Sequence, residues 1–171
     1  MGFEDGVDPI SWAVFLDISL LPPYVVPMKT IVILGTAREE SNTLTAIKEL
    51  CPFPEPEVID LRSLRIAPYN YSNVEDDFLL VAQKMAAADN IVFATPVYWY
   101  AMSALLKIFF DRLTDLLTTD KTIGKSLNGK NTYLLATGSD AELPEGFEVP
   151  FRSTSEYFGM VFKKSFYRAV K

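Results

Sequence analysis

The sequence predicts an α/β fold, a doubly wound parallel sheet with helices on both faces. Two observations carry this. Short apolar runs of strand length alternate five times with stretches patterned at helical spacing. The loops that leave three of those runs hold small, hydroxylated or aromatic residues, and such loops lie at the carboxyl edge where open α/β sheets bind ligands.

The elements follow in order. Thr30–Gly35 is a short apolar run bounded by glycine, read as a buried strand. Ser41 or Asn42 can cap a helix whose apolar positions are Leu44, Ile47, Leu50 and Cys51, and Pro52 ends it. Glu57–Leu61 is a second strand. Phe78, Val81, Ala82, Met85 and Ala86 form a helical stripe, and Ile91–Thr95 the third strand. Met102, Leu105, Leu106, Phe109, Leu113 and Leu116 make a second, stronger stripe. The polar segment 118–131, with Gly124 and Gly129, reads as an exposed loop. Thr132–Thr137 is the fourth strand, residues 150–157 a short helix, and Met160–Tyr167 the fifth strand. Such a domain normally carries one more helix after that strand, so one sheet face is expected to be partly uncovered.

Composition narrows the function. A chain of 171 residues with 49% hydrophobic and 22% charged residues can bury a sizeable core in one domain. A net charge of −6 argues against tracking nucleic-acid phosphates and against an acidic membrane surface. Histidine is absent, which removes a histidine-based triad and imidazole metal ligands. The single cysteine, Cys51, excludes an internal disulfide and a multi-cysteine metal site, and points to a reducing, cytoplasmic setting.

Residues 1–27 stand apart. Their apolar stretch is interrupted by Asp17, Pro22, Pro23 and Pro27, and it follows Glu4, Asp5 and Asp8 rather than basic residues. It is therefore a poor secretory signal and too broken to span a bilayer. The expected division is a leader outside the fold at 1–27 and a domain at 28–171. The alternative is a helix presenting Trp12, Phe15, Leu16, Ser19 and Leu20 to the open sheet face.

Three loops carry the chemistry. The first, Gly35 to Thr43, offers Thr36, Arg38, Ser41, Asn42 and Thr43 together with free amides and the dipole of a helix start, a cradle for an anion. The same residues also read as an ordinary helix cap with a solvated arginine. Neither G-x-G-x-x-G nor G-x-x-x-x-G-K-[ST] occurs there, and the loop has no cysteine nucleophile. The strand also lacks the paired aspartates of a response-regulator receiver. The second loop, Pro96-Val97-Tyr98-Trp99-Tyr100, is either a wall for a flat ligand or a set of core or interface aromatics. The third, Thr137-Gly138-Ser139, permits close backbone approach at its glycine. Together they fit a ligand with phosphate at one end and a flat ring at the other.

In these motifs the chain resembles the NADPH-dependent FMN reductase family. The matching residues are Thr36-x-Arg38-x-x-Ser41-Asn42-Thr43, then Thr95-Pro96-Val97-Tyr98-Trp99 with Lys107, Asp111 and Arg112 on the next helix, then Thr137-Gly138-Ser139, and the likeness runs from Met28 to the C-terminus. It implies a flavodoxin-like sheet of order 2-1-3-4-5. It also implies FMN with its phosphate in the first loop and its isoalloxazine against the other two, where residues 97–100 supply backbone N–H groups. NAD(P)H would be the co-substrate. The electrons would pass to a quinone, azo dye, nitroaromatic, ferric complex or free flavin, with no side chain acting as acid or base. The absence of a second diphosphate motif favours FMN over FAD. Lys107 and Asp111 read as a surface pair, and Asp111 and Arg112 as structural residues, at a subunit contact of a homodimer or homotetramer. Two other readings are a flavodoxin-type electron carrier with no substrate of its own and a flavin-free interaction module.

Overall fold

The computed structural model describes residues 28–72 and 75–170; the expectations for residues 1–27 lie outside them. Five strands form one sheet: β1 (Thr30–Leu34), β2 (Glu57–Asp60), β3 (Asn90–Pro96), β4 (Asn131–Gly138) and β5 (Val161–Ala169). Their spatial order is β2-β1-β3-β4-β5, and every neighbouring pair is parallel. β1, β3 and most of β4 are buried on both faces, which is why they read as unbroken apolar runs rather than alternating ones.

Among the described residues six α-helices connect the strands: α1 (Asn42–Leu50), α2 (Phe78–Ala87), α3 (Ala104–Arg112), α4 (Asp115–Thr118), α5 (Lys121–Ser126) and α6 (Val149–Tyr157). Alternate strand residues divide the core in two. Ile31, Ile33, Ile91, Phe93, Leu134 and Ala136 pack with residues of α2, α3, α4 and α6. Val32, Leu34, Val92, Ala94 and Leu135 pack with Ala46 and Ile47 of α1. Among the described residues the second face carries α1 alone, and Phe53, Tyr133 and Phe166 there remain only partly buried.

Two expectations need correction. Segment 118–131 is not a plain exposed loop, because α5 lies within it and Leu127 is fully buried. Gly124 made the stretch look like a linker, yet it is a packing residue. A Cβ there would lie 2.3 Å from the Leu116 carbonyl oxygen, so only glycine lets α5 press onto α4. The stripe from Met102 to Leu116 is likewise not one helix. It breaks after Arg112, whose buried guanidinium reaches Asp115 at 2.7 Å and Asp76 at 2.5 Å. On α1 the buried positions are Thr43, Ala46 and Ile47, while Leu44, Leu50 and Cys51 are partly covered.

Candidate active site

The loops after β1, β3 and β4 meet at the carboxyl edge of the sheet, as its parallel register requires. Thr36, Arg38, Ser41, Asn42 and Thr43 of the first loop, Pro96, Val97 and Tyr98 of the second, and Thr137, Gly138 and Ser139 of the third line one cleft of about 480 Å³. That volume is ordinary for a cofactor site. Trp99 and Tyr100 line an adjoining hollow of about 180 Å³ with Val97, Ser139 and Asp140.

At one end the donors are those of a helix start. Ser41 caps α1, its hydroxyl accepting the Leu44 amide at 3.1 Å, and its carbonyl accepts Thr45 N–H. The amides of Asn42 and Thr43 are left without intrahelical acceptors. Arg38 is exposed and makes no ion pair among the described residues. Donor amides, a helix dipole and an unpaired guanidinium suit a phosphate. Exposed Glu40, Thr45 and Val170 also line the cleft. Sequence reasoning missed Val170, since only the strand pairing brings its amide onto the Gly138 carbonyl at 2.8 Å.

At the other end the aromatics are not core residues. Tyr98, Trp99 and Tyr100 are 47%, 94% and 73% exposed. Tyr98 and Ala101 exchange two backbone hydrogen bonds of 2.9 and 3.0 Å, so residues 98–101 form a tight hairpin. Its turning residues, Trp99 and Tyr100, sit at φ +50° and +63°. Left-handed backbone at two bulky residues is strained, and no residue pattern announced it, since such turns favour Asn-Gly. The hairpin also narrows an expectation. The Val97 and Tyr98 amides already donate to Thr137 and Ala101 carbonyls, which leaves those of Trp99 and Tyr100 for a ligand.

The base of this arrangement is tied together. Ser103 caps α3, receives no help from solvent, and donates its hydroxyl to the Gly35 carbonyl at 2.6 Å; its amide donates to Thr95 Oγ1 at 2.9 Å. Thr43 and Thr137 share a buried hydroxyl bond. Tyr167 donates to the Asp140 carbonyl at 2.8 Å, and burial together with the Asp140 charge pushes its phenol above the ordinary value. On α3, Lys107 and Asp111 form an exposed pair at 2.5 Å. Arg112 is buried inside the domain and lies over the Phe78 ring, a structural role within one chain.

One larger hollow lies elsewhere. An open groove of about 570 Å³ between α4, α5 and the end of α6 lies away from the three loops. Among the described residues no cluster of three potential metal ligands occurs, and no helix is long and apolar enough to cross a membrane.

A family model for NADPH-dependent FMN reductases matches residues 28–167. The chain belongs to that family. Among curated relatives, the chain is 28% identical over 148 residues to YwqN of Bacillus subtilis, named as an NAD(P)H-dependent FMN-containing oxidoreductase, covering 80% of this chain and 82% of that protein. It is 27% identical over 155 residues to YdeQ of the same organism, named as an NAD(P)H oxidoreductase, covering 83% and 77%. Among solved structures, the Trp repressor binding protein of B. subtilis shares the fold with a TM-score of 0.69 at 24% identity, covering 84% and 85%. General stress protein 14 of Treponema denticola, solved in complex with FMN, gives 0.55 at 20% identity, covering 81% and 84%. The chain is thus an FMN-dependent NAD(P)H oxidoreductase of flavodoxin-like fold.

Proposed function

We propose that the enzyme takes two electrons from NAD(P)H and delivers them to a quinone, a free flavin or a similar small acceptor. FMN would lie along the cleft, its phosphate on the first loop and its ring against the second and third. The observation that carries this is the continuity of the cleft: helix-start donors and Arg38 at one end, Tyr98 and the Gly138 floor at the other. When bound, FMN supplies the redox chemistry, accepting hydride from nicotinamide and passing electrons on.

The chain's own residues bind and orient. Ser41, Asn42, Thr43 and Arg38 anchor the phosphate, which fixes where the ring falls. Val97, held by its bond to Thr137, and Gly138, with no side chain, leave a flat surface beside the ring. The Trp99 and Tyr100 amides, which have no backbone acceptor, would be the N–H donors available to the ring's polar edge. No side chain has to carry a proton. The functional unit is residues 28–171, working as a homodimer or homotetramer in a reducing cytoplasm, a setting favoured by the solitary Cys51.

The test is direct. Purified protein is assayed for bound flavin by its visible absorption, then for oxidation of NADPH and NADH with quinone, free flavin and ferric complexes. Bound FMN with catalytic turnover of an acceptor supports the reading. FMN bound with turnover only through a separate reductase would make the protein a carrier, and failure to take up added FMN would remove the cleft assignment.

A further inference from the structure

We propose that the hollow between Trp99, Tyr100 and Asp140 is the acceptor's seat, and that it selects planar aromatic acceptors of neutral or positive charge over anionic ones. This rests on the cleft reading above, because the hollow shares Val97 and Ser139 with the ring end of the cleft.

One wall is aromatic and held rigid from below. The hairpin bearing Trp99 and Tyr100 follows directly on Val97, whose amide donates to the Thr137 carbonyl at 2.7 Å. It ends two residues before Ser103, which is bonded to both Thr95 and Gly35. Each left-handed position is unfavourable for a residue other than glycine. Leaving the Trp99 indole 94% exposed is unfavourable as well. Folding gains nothing from either. A planar guest stacked on these rings would bury them, and it would make use of two side chains that the fold itself does not need.

The lining of the hollow includes one charged residue. Asp140 lines the hollow, and its carboxylate has no hydrogen-bond or ion-pair partner among the described residues. Its backbone is fixed, because the Tyr167 hydroxyl is bonded to its carbonyl. Gly138 makes that approach possible, since a Cβ there would lie 2.8 Å from the Tyr167 oxygen. No lysine or arginine lines the hollow, and Arg38 stands on the first loop, at the phosphate end of the cleft. Aromatic faces and a lone carboxylate both attract a cation, tolerate a neutral ring and repel an anion.

Reduction of a quinone in this seat takes two electrons and two protons. The hydride equivalent from NAD(P)H supplies both electrons and one proton, and solvent supplies the second proton, which gives NAD(P)⁺ and hydroquinone.

The experiment compares two naphthoquinones that differ in one substituent, a trimethylammonium group or a sulfonate. They are reduced by the FMN-loaded full chain at saturating NADPH. The ratio of their kcat/KM values is measured for the natural protein, Asp140→Asn and Asp140→Lys. Taking ratios between proteins cancels the quinones' own reactivities. The cation-to-anion ratio should fall about 25-fold in Asp140→Asn, because a unit-charge interaction near 4 Å in water is worth about fivefold and acts in opposite senses on the two quinones. It should fall further in Asp140→Lys, and both effects should shrink at high salt. Trp99→Ala should raise KM for both quinones together. An unchanged ratio in both Asp140 variants, or no turnover of either quinone by the natural protein, overturns the proposal. FMN titration of Arg38→Ala separates the two readings. Weakened FMN binding there with an unchanged charge ratio leaves the cleft standing and sinks the seat, whereas unaltered FMN binding removes the cleft itself.

Discussion

Thr43 Oγ1 and Thr137 Oγ1 lie 2.8 Å apart in a buried hydrogen bond that joins the start of α1 to the end of β4. Both residues line the cleft, so one bond links the side built by the first loop to the side built by the third. Thr137→Val leaves the Thr43 hydroxyl buried and unpaired, at a cost of about 1–3 kcal/mol. Replacing both threonines with valine removes the orphan and should come close to neutral. Denaturant melts of the single and double variants give the coupling, and additive losses would show that the two hydroxyls do not depend on each other.

Arg38→Ala and Ser41→Ala should each weaken FMN binding. A charge-assisted bond is worth about 1.5–3 kcal/mol, so the double variant should lose at least tenfold in affinity. Ser41 also caps α1, and its loss should lower apoprotein stability by about 1 kcal/mol, whereas Arg38→Ala should leave melting unchanged. Fluorescence titration and thermal melts separate the two effects.

The hairpin predicts a trade. Replacing Trp99 with asparagine and Tyr100 with glycine supplies residues that favour left-handed backbone, so the apoprotein should gain about 1–2 kcal/mol. Acceptor turnover should drop in the same variant. Stability that falls instead would mean the rings support the fold.

Asp76 gives a pH signature. Its burial disfavours the charge, but the Arg112 guanidinium and the Ala67 and Phe78 amides outweigh this and hold its carboxyl below the ordinary value. An unfolded aspartate titrates near pH ~3.9, so the unfolded chain takes up this proton first as pH falls. The stabilisation is therefore complete above about pH 4 and is lost as the pH drops through the folded value. Asp76→Asn should melt lower at neutral pH and show a shallower fall in stability below pH 4. Arg112→Ala, which strands both Asp76 and Asp115 at buried positions, should cost about 3–5 kcal/mol.

The strands and the three loops were legible because parallel sheets buried on both faces demand unbroken apolar runs such as Ile91-Val92-Phe93. Once the strands are parallel, their carboxyl-edge loops have to converge. What escaped the sequence depended on partners distant in the chain. Gly124 signals a linker until Leu116 is seen against it, and Val170 carries no pattern that ties it to Gly138. The positive φ of Trp99 and Tyr100 contradicts their local preference, so propensity reasoning had no means of finding it. Ser103 caps α3, and nothing near it in the chain announces its bond to the Gly35 carbonyl, which spans 68 residues.

The order β2-β1-β3-β4-β5 has a consequence for how the site comes into being during synthesis. β1 is an inner strand whose second neighbour, β3, ends at Pro96, so the phosphate loop has no settled base until more than half the chain has emerged. The Gly138 floor comes later still, and β5 with Tyr167 behind it last of all. Pairing strands so far apart in sequence is slow. With FMN in the proposed cleft, the cofactor would capture the domain only at the end of its assembly, and its scarcity would lengthen the life of the finished apoprotein rather than stall an early folding step.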